Sequence, residues 1–438
     1  MDNNPLYDSD ELKVKISNPQ KSISPIEIPM KLNEKEGPKE FSGDVTFGFS
    51  GQWQVEVEAQ RTDSANELVL LNMLVKPRLT DLKAEIVEYN LPEASKPLYP
   101  LFDGDNSIWI SDPSAPKIWR FDLDTKEFES FSFEGQTTII LTMDNEGKIW
   151  FTDTPANQIG YIDPDTKQIS TTSLPKIQPI ISDNTATFIQ SDFEGNIWMA
   201  VVNKDVILKY DQKDQTFEEI RLPEKESLPF ALSIDLDGKI WFTESGKGRI
   251  GYIDPKDNSI REYSPNTPLE APESLLFDDR GNIWIAEHTG LAIAKFNTVL
   301  ETFERISIPN KEALPYGMSF DRYGNVWFAQ HTVDSIGAYD PDNEELVEIP
   351  IPTETSFAQF TTADNNDNVW FVEQQGNKLA MVKLTEVPVA APTESVQDLD
   401  LRYTEIASPL IAIGIVATSL FYVKSIKDKR RINSKIMS

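Results

Sequence analysis

One short string, repeated seven times, constrains the fold of this chain more than any other feature. NSIWISD, GKIWFTD, GNIWMAV, GKIWFTE, GNIWIAE, GNVWFAQ and DNVWFVE carry Trp109, Trp150, Trp198, Trp241, Trp284, Trp327 and Trp370, spaced 41, 48, 43, 43, 43 and 43 residues apart. A period near 43 is the length of a four-stranded unit that must stack against copies of itself to bury its faces. The fourth copy reads as such a unit. LPFALSID is the first strand, Asp235 to Gly238 a turn, KIWFTES the second strand, GRIGYID the third and SIREYSP the fourth. Period two puts each Trp on the same face as the small residue two positions on, Thr243, Ala286 or Ala329. A large ring beside a small side chain lets neighbouring sheets interdigitate, so the tryptophans are expected to pack between blades rather than stack on a sugar. The fold class is therefore expected to be all-β, a seven-bladed β-propeller.

After Trp370 only GNKLAMVKL follows, so the last unit lacks its outer strand, while a spare outer-strand sequence, AEIVEYNLP, stands at 84–92 before the first repeat. Pairing of 84–92 with 377–384 would close the ring and remove an exposed edge. The propeller is accordingly placed at 81–384. Residues 1–80 contain the strand-like runs KVKISN, GDVTFGF, GQWQVEVEAQR and ELVLLNMLVKP, which suggest a small β-sandwich-like segment. Residues 385–405 are acidic and Pro-containing, as in a stalk. Residues 406–423 hold 18 residues without a charge, enough to cross a bilayer as a helix, and 424–438 form a basic tail. By the excess of Lys and Arg that marks cytoplasmic flanks, the tail is expected inside the cell membrane and the propeller outside. The N-terminus is acidic with no apolar stretch, so either the true beginning precedes Met1 or export takes another route.

The formal charge of −30 repels phosphate backbones and excludes nucleic acid as a partner, and the absence of cysteine excludes disulfides and thiolate metal sites. The expected partners are the membrane and a protein, peptide or glycan at the propeller rim. The only two histidines, His288 and His331, each stand four residues after a repeat Trp in adjacent blades. The residues one position earlier are Asp112, Asp153, Val201, Glu244, Glu287, Gln330 and Glu373, five of them carboxylates. Symmetry would set these in a ring, and calcium or magnesium, which favour oxygen ligands, are the cofactors such a ring could hold. The candidate binding rim is thus His288, His331, Glu287, Glu244, Glu373, Asp112 and Asp153.

With WFTE, RIGYIDP, REYSP and GNIWIAEH in place across about 300 residues, the repeats resemble the streptogramin lyase (virginiamycin B lyase) family. The resemblance implies a propeller that opens a cyclic depsipeptide lactone by elimination with help from magnesium. Its histidines would stand just after a Pro at the start of the innermost strands of the last two blades, and its glutamate shortly after the last blade's Trp. Those positions here are Tyr316, Gln359 and Gln374. Neither Tyr nor Gln replaces an imidazole base at ordinary pH, so lyase chemistry is not expected. The reading is a membrane-anchored binding or scaffold module; the alternative is a metal-assisted lyase or lactone hydrolase using the acidic rim. Separately, FGFSGQWQVEVEAQRTDSANELVLLNMLVKP resembles the last hairpin of immunoglobulin-like domains found with copper-resistance membrane proteins. Residues 1–79 contain neither His nor Cys, so copper binding is not carried over.

Overall fold

The computed structural model describes residues 11–33, 40–45, 47, 50–60, 67–178, 184–386, 398–403, 413–417 and 421–422. Two compact units emerge, one of 84–341 with 346–384, the other of the described residues within 1–83, 342–345 and 385–438.

The larger unit contains seven four-stranded antiparallel sheets. Their innermost strands are Pro100–Phe102, Leu141–Met143, Ala186–Ser191, Pro229–Ile234, Pro272–Phe277, Pro315–Phe320 and Ala358–Ala363. Each lies beside the next and the last beside the first, which makes the unit a closed β-propeller. In the seventh sheet the outer place is taken by Leu82–Asn90, paired with Lys378–Glu386. Leu91 N–H donates to the Asn377 carbonyl at 3.1 Å, and Lys378 Nζ reaches Glu88 at 2.6 Å.

The seven repeat tryptophans are 0 to 4% exposed, so they are core and not a sugar platform. What holds them is an aspartate six residues earlier. Asp144, Asp192, Asp235, Asp278, Asp321 and Asp364 accept the indole N–H of their blade's Trp at 2.8–3.0 Å, and Asp103 does so at 3.4 Å. The other carboxylate oxygen ties down the hairpin between the first two strands: Asp192, for example, accepts from the N–H of Glu194 and Asn196 at 2.9 and 2.8 Å. That hairpin needs a left-handed residue, which is Gly195 at φ 88° in blade 3. One side chain therefore satisfies a buried donor and sets a turn, which is why Asp, Gly and Trp recur together.

In the smaller unit, Glu11–Asn18, Ile23–Ile28, Gly51–Gln60 and Glu67–Val75 form an antiparallel sheet joined by Phe421–Tyr422. Val14, Ile16, Ile28, Val45, Trp53, Val55, Val57 and Met73 make its core. A second sheet orders Lys31–Asn33, Glu40–Asp44, Asp398–Tyr403 and Ile413–Ala417. The C-terminal helix expected from the sequence is not seen among the described residues. Asp398–Tyr403 is a paired strand within the stretch read as a stalk. Within the stretch read as a membrane helix, Ile413–Ala417 pairs with Asp398–Tyr403, and Phe421–Tyr422 pairs with Leu74–Val75. An uncharged run rich in β-branched residues satisfies its backbone as well in a sheet as in a helix. No helix among the described residues is long and apolar enough to cross a membrane. The remainder of 387–438, basic tail included, lies outside the described residues.

Candidate functional site at the channel mouth

The end of the propeller opposite the Asp–Trp turns is built from two backbone devices repeated blade by blade. The residue entering the innermost strand is left-handed in blades 4 to 7: Leu228, Ala271, Leu314 and Phe357 have φ of 50°, 49°, 43° and 52°. None is a glycine, and each such residue costs about 1–3 kcal/mol, a strain held in place by its surroundings. Their carbonyls accept the N–H of Ser245, His288, His331 and Gln374, each four residues after its blade's Trp, at 3.0–3.3 Å. A bulge follows at once: the register slips between Pro229 and Leu232, Pro272 and Ser274, Pro315 and Met318, and Ala358 and Thr361. Bulges re-aim side chains. Phe230, Glu273, Tyr316 and Gln359 occupy these slips, one per blade.

Across blades 5 to 7 these positions converge. The His288 and His331 rings are 4.9 Å apart, and Tyr316 lies 5.2 Å from the first and 4.2 Å from the second. Phe357 stacks on His331 at 4.9 Å, tilted by 19°. His331 Nε2 meets Gln359 Oε1 at 2.9 Å, and Gln359 Nε2 donates to Gln374 Oε1 at 3.2 Å. His288 Nδ1 bonds the Pro315 carbonyl at 3.2 Å. Below the mouth, Phe360 touches Tyr316, Tyr99 and Phe188 at ring distances of 4.7, 4.8 and 5.8 Å. Gly317 makes room for this plug, since a β-carbon there would run into the Phe360 ring.

The electrostatics follow from burial. Burial, helped by the neighbouring His288, drives His331 down to about 3, and burial lowers His288 as well. Burial and then the charge of Glu273 raise the Tyr316 phenol. Glu273 itself is pushed up to about 7 by burial. The two imidazoles and the phenol are therefore uncharged at neutral pH, and Glu273 is the titratable carboxyl beside them. Sequence reasoning missed Glu273, Phe357 and Phe360. The only signal was positional: Glu273 is to blade 5 what Tyr316 is to blade 6.

The expected carboxylate ring is not at this mouth. Asp112 accepts from Lys96 N, Ser114 N and Ser114 Oγ, and Asp153 from Gln136 N, Thr137 N and Gln158 Nε2. Glu287 is clamped by Arg305 at 2.5 and 2.6 Å, and Glu244 is held by Arg249, which also bonds Glu224 and Glu262. Glu373 is fully buried beside Glu88 and Lys378, neither of its oxygens makes a hydrogen bond, and burial then the Glu88 charge push it up to about 7. All five side chains turn into their own blades because the strand alternates faces, and in blades 5 and 7 the next residue along, His288 or Gln374, joins the mouth cluster. Among the described residues no three His, Asp or Glu side chains gather as a metal site.

A profile of the virginiamycin B lyase family matches residues 77–296 and 218–395. A streptogramin B lyase structure is 25% identical over 69% of this chain and 98% of its own, with a TM-score of 0.64. Virginiamycin B lyase from Staphylococcus aureus is 23% identical over 69% of this chain and all of its own, TM-score 0.63. A catalytically inactive form of that enzyme with quinupristin gives 24%, the same coverage and 0.63. No curated protein sequence matches significantly.

Proposed function

The chain belongs to the virginiamycin B lyase family, and from that premise we propose that its propeller is a binding module whose mouth has exchanged lyase chemistry for a neutral recognition surface. One observation carries this reading. The positions where the sequence resemblance implies the family's catalytic groups hold Tyr316, Gln359 and Gln374, and both glutamines are joined in one hydrogen-bonded chain with His331. His331 is the imidazole nearest those positions, and at about 3 it is a poor proton acceptor. Magnesium asks chiefly for carboxylate oxygens. A phenol and two amides, the amides already bonded to each other, with Glu273 as the one carboxyl beside them, make a poor set for it. The acidic-rim enzyme is not favoured either, since Asp112, Asp153, Glu244 and Glu287 are engaged by donors inside their blades and Glu373 is fully buried.

The ligand such a mouth suits is an uncharged, ring-bearing peptide group, taken between Tyr316, Phe357 and the histidines. The test uses a streptogramin B-type cyclic depsipeptide as probe, followed by chromatography because elimination leaves its mass unchanged. The expected result is saturable binding, lost in Tyr316→Ala, with the lactone intact. Ring opening above the buffer rate, or binding untouched by Tyr316→Ala, would sink the reading. Attachment to the cell membrane, propeller outward, is part of the same proposal; its support is the charge-free stretch 406–423 followed by the basic 424–438. Release of the full chain from membranes by alkaline carbonate would count against it.

A further inference from the structure

We propose that His288 and His331 form a two-imidazole site for a transition-series divalent cation such as zinc, in the same mouth to which the depsipeptide reading assigns its ligand. Hydrogen-bond logic assigns both tautomers, that of His331 with the Gln359 and Gln374 amides oriented as they stand in the structure. The Pro315 carbonyl can only accept, so His288 carries its proton on Nδ1 and leaves Nε2 bare. Gln359 donates its amide nitrogen to Gln374, so its oxygen accepts, and His331 carries its proton on Nε2 and leaves Nδ1 bare. Each ring thus has one nitrogen fixed by a carbonyl oxygen and the other unprotonated, the arrangement in which imidazoles bind metals, the carbonyl partner orienting the ring.

The spacing agrees. Two imidazoles on one tetrahedral ion with metal–nitrogen bonds of about 2.1 Å hold their ring centres roughly 5 Å apart; here the separation is 4.9 Å. Both residues are half-buried. Imidazole pairs favour zinc, copper, nickel and cobalt over calcium and magnesium. The competing explanation for His288 is a clamp between blades. Ser245 Oγ donates to the Pro272 carbonyl at 3.1 Å, as His288 does to Pro315 one blade on. The clamp uses one nitrogen only, and His331 departs from it by bonding Gln359 instead.

With two histidines in the chain, an imidazole ¹⁵N spectrum of the full-length protein reports the site directly. Zinc chloride titration should shift His288 Nε2 and His331 Nδ1 together, saturating at one equivalent. Calorimetry should show affinity falling at least about tenfold in His288→Ala and in His331→Ala, and about tenfold in Gln359→Leu, which removes only the orienting bond. Excess calcium or magnesium should not compete. The proposal is overturned if saturating zinc leaves both rings unshifted, or if His288→Ala/His331→Ala binds zinc as tightly as the unaltered chain, which would assign the ion to surface carboxylates. The spectrum of the unaltered protein decides the matter even where a variant folds poorly.

Discussion

The two ends of the propeller's strands share one backbone pattern from blade to blade but treat side chains in opposite ways. At the turn end, all seven blades place an aspartate under a tryptophan indole. At the mouth end, the bulge holds Phe230, Glu273, Tyr316 and Gln359 in successive blades, and the facing position holds Ser245, His288, His331 and Gln374. The turn residues are buried or half-buried and bonded to each other, so an exchange in one blade breaks a packed unit. The mouth residues hang from backbone that is fixed without them, through the left-handed entry residue and its carbonyl bond. Chemistry can therefore change there one blade at a time without loss of the ring.

The largest effect expected from that contrast is at the turn end. Trp198→Ala should cost about 3–5 kcal/mol, read as a fall in the calorimetric unfolding midpoint. Asp192→Ala leaves the Trp198 indole and two turn amides unpaired and should cost about 1–3 kcal/mol. The same change in Asp321 should match it; a blade-to-blade scatter as wide as the effect would break the comparison. A pH effect is expected at the mouth. Glu273 titrates near 7 in the folded chain and near about 4.3 when unfolded, so unfolding releases a proton between those values and stability falls as pH rises through that window. Glu273→Gln should flatten part of this slope in midpoints measured from pH 4 to 8, the rest being shared by Glu373, Glu244 and Asp367, which have the same sign. His331 opposes them, its depressed pKa making stability rise with pH from about 3 to its ordinary 6.5. The smallest effect should come from His288→Ser, which copies Ser245 of the preceding blade and should move stability by no more than about 0.5 kcal/mol. A loss as large as that of Asp192→Ala would mean the mouth is core after all.

The repeat was legible because Trp, its small neighbour and the turn glycine are demanded by packing, and packing recurs with the blade. His288 and His331 were legible as neighbours because equal offsets from their tryptophans imply equal heights in adjacent blades. Their carboxylate neighbours were misplaced by one step of strand alternation: Glu287 and His288 are adjacent in the chain, yet one is clamped by Arg305 inside the blade and the other faces the channel. Glu273, Phe357 and Phe360 could not be read off at all, since they owe their place to a left-handed residue and a register slip that leave no compositional mark. Ile413–Ala417 was read as helix because an uncharged run satisfies either element, and its strand partner, Asp398–Tyr403, could not be identified by periodicity alone.

The pairing of Leu82–Asn90 with Lys378–Glu386 also sets a schedule. Glu88 and Lys378 lie 290 residues apart, so the outer strand of the last blade is among the first parts of the propeller to be made and the last to find its place. At synthesis rates of about 5–20 residues per second it waits on the order of 15–60 s with its hydrogen-bonding edge unclaimed. During that interval every completed blade still faces a gap in the ring. Contacts this distant in sequence form slowly, so the seal of the ring should be the late, rate-setting event of folding. The same joint is where a partly made chain is most exposed to pairing with another copy of itself.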